Sequence, residues 1–354
     1  MRVGFVGLGF ATRSLHVPAI ASLPSGVIVG GVDPAPEQAA AWRELGVGPV
    51  HDSFDELLER ARPDVVVVAT PPGSHAELCV RALEAGVNVL CEKPFVATVD
   101  EADAVLAVAE RAGRWVAVNQ EFRYMPIFAE TARRVGTPRI GRPVFVHCTQ
   151  FMDLAPWDEP VAWRAAMPDR ALFEGGVHLV DLLQLVVGQH PSAVFAAMSS
   201  GLDPGRRADA VDLVTFDYGD GLLAQITMNR LSKSGTRYVD LRVDCEVASL
   251  RASYGGRAFL RVGMKRAERP GIRVDFGPEG LAWIERGLGR RVIARNARGA
   301  TVKATSALYD ATFAAVGRGD RPPTDARLAR ETLRVIEAAY RSARTGERVV
   351  LDPV

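Results

Sequence analysis

The sequence predicts an α/β protein in which an N-terminal doubly wound parallel sheet precedes a C-terminal α+β domain with a large, mostly antiparallel open sheet. Three observations lead there. Short valine-rich runs alternate with helical segments through the first third, a glycine-rich loop follows the first run directly, and apolar and polar residues alternate strictly over Val239–Cys245. Runs that are apolar throughout suit strands buried on both faces of a parallel sheet. Strict alternation suits a strand with one buried and one wet face.

In chain order, Val3–Val6, Val27–Val32, Val65–Ala69, Val87–Cys91 and Trp115–Val118 are the expected strands of the first sheet. Crossover helices are expected over Glu37–Leu45, Phe54–Ala61, His75–Ala85 and Asp100–Ala112. Repeated alternation of strand and helix builds a doubly wound domain, here assigned to residues 1–122. Residues 123–354 form the second domain, with strands expected over Val144–Phe151, Ala193–Ser199, Val211–Tyr218, Leu222–Arg230, Val239–Cys245 and Ala258–Val262. Gly219-Asp220-Gly221 turns a hairpin between two of them. The basic stretch Arg286–Arg298 reads as an exposed hairpin or loop, and Asp325–Ala343 as a terminal helix packed through Leu328, Leu333, Ile336 and Tyr340. A wide one-sided sheet invites a second copy, so a homodimer or homotetramer through the open face is expected.

Composition narrows the function classes. The 354 residues are 48% hydrophobic, as one or two well-packed domains require. Forty-three basic against forty-two acidic residues leave a net charge of +1, which argues against nucleic acid or an anionic membrane as partner. The Met1 end lacks the pattern of a signal peptide and no apolar run reaches spanning length, so a cytoplasmic protein is expected. Cys79, Cys91, Cys148 and Cys245 are scattered, which fits buried free thiols better than disulfides or structural metal.

Gly7-Leu8-Gly9-Phe10-Ala11-Thr12 follows the first strand, where Gly7 permits a tight turn and Gly9 lets backbone amides approach a pyrophosphate. A third glycine is missing, so Ala11 or Thr12 must pack helix against strand. The second strand ends at Asp33, at the spacing where an acidic residue binds the ribose hydroxyls and repels a 2′-phosphate, favouring NAD over NADP. Asp33-Pro34 also reads as a turn or helix cap. Thr70-Pro71-Pro72-Gly73-Ser74-His75 supplies rigid prolines that suit a wall beside the nicotinamide ribose, with Thr70, Pro71 and His75 as further cofactor candidates; Ser74 equally suits an N-cap. Glu92-Lys93-Pro94 then puts a lysine at the carboxyl end of the fourth strand, where the reactive end of a bound cofactor would lie.

A second chemical signal lies in Glu174-Gly175-Gly176-Val177-His178-Leu179-Val180-Asp181. On a helix, Glu174, His178 and Asp181 fall at i, i+4 and i+7 and form one polar stripe among apolar residues. Such a stripe is costly unless it is used or internally paired, so an active-site role and a satisfied buried network are both open. The zinc-binding His-Glu-x-x-His pattern is absent. Between residues 153 and 170, Trp157, Trp163 and Arg164 stand among prolines, either lining a substrate pocket or anchoring a loop.

With the Gly7–Thr12 loop, Glu92-Lys93-Pro94 and the His178 helix in this order, nearly the whole chain resembles the Gfo/Idh/MocA family of nicotinamide-dependent oxidoreductases. Asn119-Gln120-Glu121-Phe122-Arg123-Tyr124 is similar to that family's interdomain segment with its arginine, and Tyr340–Gly346 to its C-terminal helix end. The resemblance implies a Rossmann domain, a second domain with an open sheet, and oxidation of a hydroxyl of a sugar, sugar derivative or cyclitol, or reduction of the corresponding carbonyl. It implies that Lys93 is the active-site lysine and His178 the acid/base histidine, with Glu92 and Gln120 on the cofactor side and Arg123 and Asp181 beside the substrate. An imidazole, ordinarily titrating at about 6.5, can take the hydroxyl proton, and a fixed ammonium can stabilise developing alkoxide charge. The family commonly has Asp where this chain has Glu174, so that residue's part, orienting His178 or meeting a substrate hydroxyl, stays open, and Asp181 could share it. A glycosidase using NAD transiently and a sensor binding NAD without turnover are the competing functions; the presence of both Lys93 and His178 favours chemistry.

Overall fold

The computed structural model describes residues 1–153, 167, 171–202, 208–233, 237–255, 258–262, 272–276 and 279–353. They form two compact units, the first made of Met1–Tyr124, Phe173–Asp181 and Thr301–Ala338, the second of Met125–Leu172, Leu182–Ala300 and Ala339–Val354. The first unit ends its opening stretch two residues past the expected 122/123 boundary, and later segments of the chain return to it.

The first unit is built on a parallel sheet of β1 (Arg2–Val6), β2 (Val27–Val32), β3 (Val65–Val68), β4 (Asn88–Cys91) and β5 (Val116–Val118), in the order β2-β1-β3-β4-β5. All four β3 valines are buried, as a central strand covered on both faces demands. The strand order reverses between β1 and β3, and in open α/β sheets ligands bind beyond the carboxyl ends of the strands at that point. Gly7 follows β1 and Thr70 follows β3 closely, so both candidate loops sit at the switch.

Helices run over Pro36–Leu45, His75–Glu84 and Val99–Ala112, close to their expected bounds. The segment expected as one helix over Phe54–Ala61 starts as α-helix at Phe54–Glu56 and continues as a wider π-helix at Leu57–Ala61. Ser53 and Thr98 cap two of these helices, their hydroxyls accepting the amides of Glu56 and Glu101 at 3.1 and 3.2 Å. The unit's core packs Phe5, Trp42, Val65, Val67 and Leu90 against Leu308, Tyr309 and Phe313. Those last three lie on a helix, Ala300–Gly317, that the sequence reading did not foresee. Its alanines and apolar side chains are spread around the axis, so no single apolar stripe announces it.

The second unit carries β6 (Pro143–Phe151), β7 (Ala193–Ser199), β8 (Val211–Asp217), β9 (Leu223–Asn229), β10 (Arg237–Cys245), β11 (Ser249–Gly255), β14 (Gly280–Arg286), β15 (Gly289–Asn296) and β16 (Val349–Val350) in one nine-stranded sheet. All its pairs are antiparallel except β6 with β9. Val239, Leu241 and Val243 of β10 are buried in line with the alternation, as are Val214 and Phe216 of β8. The strand expected over Ala258–Val262 forms as β12 but pairs with β13 (Ile272–Phe276) in a separate two-stranded ribbon. The basic stretch becomes β15, at the edge of the large sheet, where Arg290 lies 3.8 Å over the ring of Trp283. Charged side chains along an edge discourage pairing with a further strand. The terminal helix runs over Ala326–Thr345, burying Leu333, Ile336 and Tyr340 while Leu328 is half-buried. No helix among the described residues is long and apolar enough to cross a membrane.

Leu308 is fully buried in the first unit's core, so Leu308→Ala should cost about 2–5 kcal/mol of unfolding free energy. Urea denaturation measures it, and a loss under about 0.5 kcal/mol would mean that the helix does not pack there.

Candidate active site

The dinucleotide loop is shaped by sterics that only one residue type satisfies. Gly7 has φ of +89°, and a Cβ there would lie 2.7 Å from the carbonyl carbon and oxygen of Ala69. A Cβ on Gly9 would meet no atom within 4 Å, so that position faces open space of the kind a pyrophosphate needs. Thr12 takes the place of the missing third glycine: it is buried and its hydroxyl donates to Gly7 O at 2.6 Å. Phe10 is 74% exposed and Ala11 half-buried. The carboxylate of Asp33 accepts from Leu8 N at 2.7 Å and Ala35 N at 2.9 Å, which braces the loop against the end of β2. Of the turn and cap readings of Asp33, its bond to Ala35 N is that of a turn, since the next helix has Ala35 at its N-cap without a side-chain cap, and the half-buried Asp33 side chain borders the loop.

Beyond β3, Pro71 is exposed and Thr70 half-buried. Ser74 stands at the N-cap position of the next helix, yet its hydroxyl donates back to Thr70 Oγ1 and Pro71 O instead of accepting a helix amide. His75 is fully enclosed, with Nε2 2.8 Å from Thr70 O and Nδ1 3.0 Å from both Pro94 O and Phe95 O. Burial pulls its pKa below the ordinary value against the pull of those carbonyls. His75 thus staples the β3 loop to the Lys93-Pro94 segment, whose peptide bond is cis.

Glu92 is the hub behind the lysine. Its Oε1 meets His16 Nε2 at 2.7 Å and Asn119 Nδ2 at 2.8 Å, and Oε2 accepts the Lys93 amide at 3.0 Å. His16 Nδ1 in turn lies 2.8 Å from the hydroxyl of Tyr309. Burial would raise the Glu92 pKa, but the hydrogen bond and charge of His16, with Lys93 and Asn119, outweigh it and hold the carboxyl at about 2. Lys93 is half-buried and its Nζ donates to Glu174 O at 3.3 Å.

Glu174 and His178 do not lie on one continuous α-helix, as the spacing had implied. Leu172–Gly176 is a π-helical turn, and the α-helix starts only at Val177, running to Val187. π-Turns widen the backbone spiral and recur at functional sites. The ring of Phe122 stacks on His178 with centroids 4.3 Å apart and planes 15° from parallel. Arg123 Nε donates to both oxygens of Asp181, at 2.7 and 2.9 Å. Burial raises the Asp181 carboxyl above its ordinary value, and the charge and hydrogen bonds of Arg123 offset only part of that rise. Asp181 is thereby held against the turn that carries Phe122 and Arg123. Trp157, Trp163 and Arg164 lie outside the described residues.

His16, Asn119, Phe122 and Tyr309 belong to this constellation although sequence reasoning gave them no role. His16 offered one signal, a histidine one helical stretch beyond the glycine loop; Tyr309 offered none, being about 290 residues away. Asn119, Gln120 and Glu121 follow the end of β5 in succession, and each has a buried side-chain oxygen, Oδ1, Oε1 and Oε2 respectively, without a hydrogen-bond partner among the described residues. Buried polar atoms are nearly always satisfied in native proteins. With the open space at Gly9, these three atoms fit a site completed by a bound nucleotide and a polar ligand.

Known proteins match the chain over most of its length. Residues 1–120 match the family described as "Oxidoreductase family, NAD-binding Rossmann fold", and residues 128–251 match the "GFO/IDH/MocA C-terminal domain". The chain is 26% identical to D-apiose dehydrogenase of Paraburkholderia graminis, over 98% of this chain and 88% of that one. It is 28% identical to inositol 2-dehydrogenase 2 of Saccharopolyspora erythraea, over 92% and 96%. An oxidoreductase from Agrobacterium radiobacter, solved with NAD+, L-tartaric acid and magnesium, shares the fold with a TM-score of 0.82 at 18% identity, covering 99% of this chain and 98% of that one.

Because Glu92 is held at about 2, its stabilising effect is complete above the ordinary carboxylate range and is lost as pH falls toward 2. Wild type should therefore exceed Glu92→Gln by on the order of 3 kcal/mol at pH 7, with the gap closing between about pH 4.5 and 2. Urea titrations at several pH values measure it, and a gap that does not change with pH would contradict the depressed carboxyl.

Proposed function

Because the chain belongs to the Gfo/Idh/MocA oxidoreductase family, we propose that it is an NAD-dependent dehydrogenase acting on a CH–OH group of a sugar, sugar derivative or cyclitol. The observation that supports this reading is the hydrogen bond from Lys93 Nζ to the backbone oxygen of Glu174, four residues before His178, with all three residues in one compact unit. The curated relatives named as dehydrogenases of apiose and inositol support the substrate class.

Gly7, Gly9, Phe10, Ala11 and Thr12 would receive the pyrophosphate, Asp33 the ribose hydroxyls, and Thr70, Pro71, Glu92 and Gln120 would border the nicotinamide half. His75 then acts from behind, through the β3 loop it holds. When bound, NAD supplies the hydride-accepting ring. A ring nitrogen of His178 takes the proton of the substrate hydroxyl, its plane fixed by the stacked Phe122 ring. Lys93 donates a hydrogen bond to the same oxygen and stabilises the negative charge that develops there. Glu92 keeps the lysine backbone in register through its amide. Glu174 meets the substrate or orients His178, and the Arg123–Asp181 pair shapes the wall next to it.

We further propose cofactor binding by residues 1–122, substrate binding and assembly by 123–354, a cytoplasmic location, and a homodimer or homotetramer through the open sheet. The assembly is supported by Phe151, Phe195, Leu213 and Leu223, large apolar side chains exposed on the face opposite the buried one.

A panel of sugars, cyclitols and their acids, offered with NAD and NADP while nicotinamide absorbance is followed, tests the activity. Turnover with at least one polyol is expected; nucleotide binding without any turnover would favour a sensor instead. Lys93→Met and His178→Asn should each keep NAD affinity and lower kcat at least about 100-fold, and a fully active variant defeats that residue's role. Asp33→Ser should weaken NAD more than NADP in fluorescence titrations, since it removes the partner of the ribose hydroxyls; equal losses would sink that assignment.

A further inference from the structure

Glu121 plays no part in the reaction just described, yet it is buried within the same unit. It opens the short 3₁₀ turn Glu121–Tyr124, directly before Phe122, which stacks on His178, and Arg123, which holds Asp181. Its side chain belongs to a residue only 6% exposed, and Oε2 has no hydrogen-bond partner among the described residues. The charges acting on it are Glu92 and Lys93 at the end of β4 and Asp181 on the Val177–Val187 helix; Arg123 stands two residues on in the same turn, and His178 lies under the neighbouring Phe122 ring.

We propose that Glu121 is a further substrate-contacting residue, which presents Oε2 to a hydroxyl group of the polyol held by Lys93 and His178. The proposal rests on the dehydrogenase reading and extends it to a group that determines which hydroxyl pattern is accepted. A buried carboxyl oxygen without a partner costs about 1–3 kcal/mol or more, so the position is favourable only when a ligand completes it. Burial first, then the negative charges of Glu92 and Asp181, raise the carboxyl to about 8 against the pull of Lys93. At neutral pH it is therefore a carboxylic acid, able to donate through O–H and accept through C=O, as a sugar hydroxyl also does. A neutral acid has a second advantage at this place. It adds no negative charge near the oxygen on which Lys93 must stabilise developing charge.

Glu121→Gln keeps the shape and a donor, whereas Glu121→Leu keeps only the bulk. With the best substrate of the panel, KM of wild type should rise as pH passes about 8, because the ionised form can no longer donate. Glu121→Gln should hold KM within about threefold of wild type at pH 7 and abolish that rise, and Glu121→Leu should raise KM at least tenfold with NAD affinity unchanged, the loss of roughly one good hydrogen bond. A readout free of activity accompanies these. A raised carboxyl stabilises the native state below its unfolded value and loses that effect as pH climbs to about 8. Glu121→Gln should therefore gain Tm relative to wild type between pH 5 and pH 9. An unchanged KM in Glu121→Leu, a KM rise that persists in Glu121→Gln, or Tm curves that stay parallel would each overturn the proposal. Wild type that turns over no polyol at all would instead overturn the dehydrogenase reading, and this assignment with it.

Discussion

The buried carboxylate of Glu92 is the interaction on which the arrangement of the first unit's candidate site depends. Its two oxygens collect His16 from the helix after the glycine loop, Asn119 from the end of β5, and the amide of Lys93. Through His16 the same network reaches Tyr309 on the Ala300–Gly317 helix. Four parts of the chain are thus tied to one charge that burial would neutralise if its partners were removed. A lysine that must hold its ammonium at one point gains most from such fixing of its backbone.

Around this hub the unit separates charge from acid function. Arg123 neutralises Asp181, and Asn119 and His16 engage Glu92, so two of the buried carboxylates are bound to defined partners. Glu121 is pushed up first by its burial and then by the charges of Glu92 and Asp181, so it keeps its proton to higher pH. Carboxyl groups with such divergent environments can perform different tasks at one pH, which is the usual mark of a site built for proton chemistry.

π-Helical turns recur around the candidate site. His16 ends one at Thr12–His16, and Glu174 lies within another at Leu172–Gly176. A wider turn shifts the angular position of the residues that follow, so His178 is presented at an angle that an unbroken α-helix would not give. The stacked Phe122 ring then limits the imidazole to one plane.

Periodicity and local sterics made much of this legible beforehand. The valine runs predicted the parallel strands because burial on both faces tolerates little else, and Gly7 predicted the loop because a Cβ there would collide with Ala69. Lys93 after a strand and His178 on an apolar helix are visible in the sequence as candidates, and the family resemblance supplies the roles proposed for them. The partners of those residues could not be read in the same way. His16 and Tyr309 are adjacent only because the late Ala300–Gly317 helix packs into the first core, and Asp181 takes Arg123 because folding brings together residues 58 positions apart. Ala258–Val262 had the composition of a sheet strand and became one, but it pairs with the next strand in the chain, Ile272–Phe276, in a separate ribbon. Local sequence sets backbone preference and burial pattern; which buried charge meets which partner depends on contacts between distant segments, and those exist only once the chain has closed on itself.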